Sequence, residues 1–117
     1  MKKLYHLSTC DTCKRIITEL NLPSDVVLQD IKTEAITISQ LEEMHTLSGS
    51  YESLFSKRAR LYKEKDLKNA NLTEVDYKTY ILEHYTFLKR PVLMYNGQIF
   101  IGNSKKTIAL AKDYIHA

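Results

Sequence analysis

The sequence is most informative in what it holds little of. Two cysteines are too few for a stapled scaffold and suggest reversible redox work instead. No apolar run approaches the length of a membrane span, and the N-terminus carries no apolar signal segment. Cytoplasmic residence without membrane association is therefore expected. The excess of positive charge is only +3, which gives no ground for nucleic-acid binding. No internal repeat or low-complexity stretch appears, which sets aside linker-joined architectures. At 117 residues there is room for one core but not two, and the 44% hydrophobic and 26% charged content is ordinary for a soluble fold.

Both cysteines lie in one stretch, Cys10-Asp11-Thr12-Cys13. An extended segment, Lys2 to Leu7, precedes it, and Lys14 to Leu20 follows as the first turns of an amphipathic helix. A cysteine where a strand ends and a helix begins faces amide groups that have no partner within the helix, at the positive end of its dipole. A thiolate there is stabilised and becomes a usable nucleophile at neutral pH. Cys10 holds that place. Cys13, about one turn on, could attack a mixed disulfide formed on Cys10. A C-x-x-C pair can also be half of a zinc site or two unrelated buried thiols. The histidines at 6, 45, 84 and 116 show no ligand spacing, so no metal is expected.

The rest of the chain reads in order. Residues 2–7 form a strand, Asp11 to about Asn21 a helix buried through Ile16, Ile17 and Leu20, and Asp25 to Ile31 a second strand with Val26, Val27, Leu28 and Ile31 apolar. This is a βαβ unit with parallel strands. Thr37 and Gln40 form a capping box for the next helix, whose stripe is Leu41, Met44 and Leu47, and Gly49 closes it. Short helices are expected over residues 50–71. Thr73 and Asp76 open another helix, with Val75, Tyr80, Ile81 and Tyr85 inward. Pro91–Tyr95 and Gln98–Ile101 are strands joined at Asn96-Gly97, the strongest short hairpin signal. Asn103-Ser104 caps a last helix with Ile108, Ala111 and Ile115 inward. The expected fold is α/β: a thioredoxin-like mixed four-stranded sheet, βαβ…ββα, forming a single domain over 1–117 with a helical insert at about 36–87.

With that order the chain resembles the ArsC family, the glutaredoxin-linked arsenate reductases and Spx regulators. Three places carry the likeness: Leu4 to Cys13, including His6 four residues before Cys10; Ser56-Lys57-Arg58-Ala59-Arg60-Leu61-Tyr62; and Arg90-Pro91-Val92. The resemblance implies a thiol-disulfide oxidoreductase with Cys10 as nucleophile, Cys13 as resolving thiol and Arg90 beside the thiolate or a bound oxyanion. Pro91 is expected to be cis, as such prolines in this fold usually are. His6, if protonated, would lower the Cys10 pKa, though a histidine late in a strand is as often simply packed. Thr12 lies between the cysteines, and Arg58 could complete an anion site; an exposed arginine and a solvated basic stretch are the plainer alternatives for Arg90 and Arg58.

The chain departs from the reductase pattern in Cys13, in Ser56 at the insert position nearest a second arginine, and in Gly102 where a third would lie. Spx-type members carry a C-x-x-C pair, but their longer C-terminal extension has no counterpart here. Implied co-reactants are glutathione or another thiol, with glutaredoxin or thioredoxin as reductant and arsenate or a glutathione mixed disulfide as substrate. No bound cofactor is expected. The alternative is a redox-sensing regulator that binds RNA polymerase.

Overall fold

The computed structural model describes residues 1–117 and divides them into two compact units: Met1–Ala35 with Arg90–Ala117, and Ile36–Lys89. The first unit is built on strands β1 (Lys2–His6), β2 (Val27–Asp30), β3 (Val92–Tyr95) and β4 (Gln98–Ile101), in the order β2-β1-β3-β4. β1 runs parallel to β2, while the β1–β3 and β3–β4 pairs are antiparallel. β3 is buried along its whole length, as suits a central strand covered on both faces.

Helices α1 (Asp11–Leu20) and α5 (Lys105–Ile115) pack in this unit. Ile16 and Leu20 of α1 meet Ile108, Ala111 and Ile115 of α5 over Leu4, Leu93 and Tyr95 of the sheet, with Val26 at the margin. The predicted inward positions of α5 are all buried. α1 ends at Asn21, whose φ of 49° is the left-handed cap that asparagine tolerates. The β3–β4 hairpin turns at Asn96 (φ 47°) and Gly97 (φ 84°), the positive-φ pair that a tight two-residue turn requires. Ser104 caps α5 by accepting from the Thr107 N–H at 3.1 Å.

β2 differs from its prediction. It is shorter, and as an edge strand it leaves Val27 58% exposed and Leu28 half exposed, while polar Gln29 is buried. The Gln29 amide donates to the Glu34 carbonyl at 3.0 Å, which removes the cost of burying it.

The second unit contains α2 (Ile38–Ser48), α3 (Arg60–Glu64) and α4 (Glu74–Glu83), with 3-10 turns at Glu52–Leu54, Leu67–Asn69 and Tyr85–Phe87. Both capping boxes form: Thr37 with Gln40, and Thr73 with Asp76. Gly49 takes φ 86° to close α2. The core is aromatic, with Phe55 stacked on Phe87 at 5.2 Å and tilted against Tyr77 at 4.8 Å. Ser56 N–H to Phe87 carbonyl (2.7 Å) and Lys89 N–H to Leu54 carbonyl (2.8 Å) tie the two ends of this core together. Two expectations fail here. Val75 is 71% exposed and Leu47 sits at the surface, because Tyr77 and Ile81 supply the inward face of α4 while Leu41 and Met44 supply that of α2. Tyr80 and Tyr85 are half-buried.

No helix is long and apolar enough to cross a membrane. Truncating Leu20, 1% exposed in the α1–α5 core, to alanine should cost about 2–5 kcal/mol in denaturant titration. Val27→Ser on the exposed edge should move the same measurement by no more than about 0.5 kcal/mol.

Candidate active site

Cys10 is the N-cap residue of α1, half-buried, with an extended backbone. The turn that delivers it is closed by the Cys10 N–H donating to the Leu7 carbonyl at 3.0 Å, and the helix begins when Lys14 N–H reaches the Cys10 carbonyl at 3.1 Å. Its side chain closes no capping hydrogen bond as a thiol. The charged form has more to gain. Burial raises the Cys10 pKa, but the N–H groups of Cys13 and Thr12, the Cys13 side chain and the Arg90 charge outweigh it, leaving the pKa below that of an ordinary cysteine.

Cys13 lies one turn on, fully buried. Burial pushes its thiol up to about 11; the Cys10 side chain and its charge add to the rise, while the Leu7 backbone N–H and Arg90 work against it. The two sulfurs interact directly, the Cys13 side chain favouring charge on Cys10 and Cys10 disfavouring it on Cys13. One motif thus holds a thiol that ionises more readily than usual beside one that ionises less readily.

Arg90 stands just before β3, half-buried, with its Nε out of solvent. The Arg90–Pro91 bond is cis, as predicted. Pro91 is buried and its carbonyl accepts from the Gly102 N–H at 2.9 Å, which ties this segment to the end of β4. The Arg90 guanidinium favours the charged form of both cysteines.

The remaining predicted residues fall differently. Thr12 contributes its backbone N–H to Cys10. His6, at the end of β1, lies opposite Asp30 in the strand register, and its charge acts on that carboxylate. Arg58 belongs to the second unit, exposed in the turn before α3. Nearby Arg60 is joined to Glu64 at 2.8 Å. The other histidines are engaged elsewhere: His45 stacks on Tyr51, the His84 ring contacts the Thr86 hydroxyl, and that of His116 meets the Leu20 carbonyl. No three His, Cys, Asp or Glu side chains are grouped to hold a metal ion.

Two residues at this site escaped the sequence reading. Asp30, at the end of β2, accepts from the Ser8 hydroxyl at 2.5 Å, the Ser8 N–H at 3.3 Å and the Lys32 N–H at 3.2 Å. The only signal available was a carboxylate closing a strand parallel to β1.

The family model described as ArsC family matches residues 5–111, nearly the whole chain. The chain belongs to the ArsC family. An uncharacterised protein of Haemophilus influenzae is 26% identical over 91% of this chain and 94% of its own. Global transcriptional regulator Spx 2 of Bacillus cereus is 23% identical over 90% of this chain and 82% of its own. Among solved structures, an arsenate reductase from Vibrio cholerae superposes with a TM-score of 0.78 at 18% identity, over 94% of this chain and 96% of that one. That likeness establishes the thioredoxin-like fold of the ArsC family, a four-stranded mixed sheet with a helical insert.

The geometry predicts how each thiol reacts with an alkylating agent. Cys10 should be modified readily near neutral pH, and Cys13 only as pH approaches about 11. Arg90→Ala should raise the midpoint of the Cys10 alkylation profile, since it removes a charge that favours the thiolate.

Proposed function

We propose that this ArsC-family protein is a cytoplasmic thiol-disulfide oxidoreductase. Cys10 is the nucleophile, Cys13 the resolving thiol and Arg90 the group that steadies negative charge. The observation that carries the proposal is Cys10 at the open amides of α1, its pKa lowered, with the buried Cys13 in contact with it.

The chemistry is two successive displacements. On a glutathione mixed disulfide, the Cys10 thiolate attacks one sulfur, the S–S bond breaks, and a thiolate leaves while a new disulfide forms on Cys10. Cys13 then loses its proton and attacks the Cys10 sulfur. The second thiolate leaves, and the Cys10–Cys13 disulfide remains. Consuming the Cys10 charge in the first step removes one cause of the high Cys13 pKa, so the resolving thiol is eased toward reaction only once it is needed. On arsenate, Cys10 displaces hydroxide to form an arsenic–sulfur bond. Attack by Cys13 on Cys10 then releases arsenic with that bond's electron pair, reducing As(V) to As(III). In both cases two electrons come from the thiol pair, and an external thiol system, glutathione with glutaredoxin or a thioredoxin, must return them. Arg90 offers a forked cation to the anionic oxygens of either substrate.

A second reading has its own support in Cys13 and in the relative described as Global transcriptional regulator Spx 2. Here the same pair would sense oxidation in a protein that binds RNA polymerase.

Two coupled assays separate these readings: arsenate reduction with glutathione and glutaredoxin, and disulfide reduction with thioredoxin. Turnover in one of them, abolished by Cys10→Ser, is the expected result. Cys13→Ser should accumulate a mixed disulfide on Cys10, detectable by mass spectrometry. Full activity in Cys10→Ser would overturn the enzyme reading; absence of turnover together with redox-dependent capture of polymerase would favour the second.

A further inference from the structure

The parallel strands β1 and β2 end side by side, with His6 and Asp30 in register. Their carboxyl ends face the loop from Leu7 to Cys10. Asp30 reaches from β2 into that loop. One carboxylate oxygen takes the Ser8 hydroxyl at 2.5 Å; the other takes the Ser8 N–H at 3.3 Å and the Lys32 N–H at 3.2 Å. Its own backbone is pinned as well: the Asp30 carbonyl accepts from the Glu34 N–H at 2.8 Å and the Thr33 hydroxyl at 3.3 Å, and the next residue, Ile31, donates to the His6 carbonyl at 2.9 Å.

The residue held, Ser8, adjoins Leu7, whose backbone meets both cysteines. Leu7 accepts from the Cys10 N–H through its carbonyl, and its own N–H favours charge on Cys13. The backbone that sets Cys10 against the helix amides therefore pivots about a point fixed from the neighbouring strand. We infer that Asp30 is the positioning residue of the nucleophile loop, acting on both cysteines through Ser8. This rests on the reading of Cys10 as nucleophile.

Asp30 should stay ionised while Cys10 titrates. The Ser8 hydroxyl bond holds its carboxyl below the usual range against the opposing effect of burial, helped by the Lys32 and Ser8 N–H groups and by His6. Its negative charge alone would disfavour a thiolate nearby, and that gives the test its sign. If Asp30 acts by position, removing it loosens the loop and raises the Cys10 pKa. If it acts by charge, removing it lowers that pKa.

The experiment is the pH profile of Cys10 alkylation in the full chain, for the wild type, Asp30→Ala, Asp30→Asn and Ser8→Ala, with the melting temperature of each. Positioning predicts that Asp30→Ala slows alkylation at pH 7 by about three- to tenfold, since one pKa unit changes the thiolate fraction by up to tenfold. Asp30→Asn keeps the shape and can still accept from Ser8, so it should stay within about twofold of the wild type. Ser8→Ala, which leaves the Asp30 charge in place, should slow the reaction in the same direction by less. Faster alkylation in both Asp30 variants would overturn the inference in favour of a charge effect. A lowered melting temperature with an unmoved profile would reduce Asp30 to a structural residue. Should Asp30→Ala not fold, an unmoved profile in Ser8→Ala overturns the inference by itself. A wild-type profile like that of free cysteine would remove the nucleophile reading and this inference with it; an activated wild type beside unmoved variants removes this inference alone.

Discussion

Negative charge on one sulfur is the constraint to which the rest of the first unit answers. Partial burial opposes it, and without compensation Cys10 would be an inert thiol. Compensation comes from the open N–H groups at the start of α1, from the side chain of Cys13 and from the guanidinium of Arg90. These groups come from two parts of the fold, the start of α1 and the segment before β3. α1 brings its amides because Cys10 ends the β1 loop; Cys13 follows one helical turn later; Arg90 arrives through the cis bond before β3. The order β2-β1-β3-β4 makes β1 and β3 neighbours, so Arg90 acts on Cys10 from 80 residues further along the chain.

The two cysteines differ because their surroundings do. Cys10 sits at the helix end, half open to solvent; Cys13 is walled in, and burial leads the causes that raise its pKa. The thiol that ionises more readily is also the more exposed of the two.

Much of this was readable from the residues, for a physical reason: the legible features were local. Thr37 with Gln40, Thr73 with Asp76, Asn96-Gly97 and Ser104 specify caps and a turn within a few residues, and all of them form. The Cys10 loop was legible because strand, cysteine and helix are contiguous. What failed depended on tertiary placement. Val27 and Leu28 look like core until β2 becomes an edge, and Gln29 looks exposed until its amide finds the Glu34 carbonyl. Val75 fits an apolar face that Tyr77 occupies instead. The Asp30–Ser8 pairing spans 22 residues and exists only in the register of β1 against β2.

The central claim is that Cys10 gives up its proton more readily than an ordinary cysteine, and thiolate ultraviolet absorbance reads that directly. A titration of the wild type minus that of Cys10→Ser isolates one sulfur. The midpoint of the difference curve should lie below that of free cysteine. A difference curve that rises only at or above the free-cysteine value would contradict it.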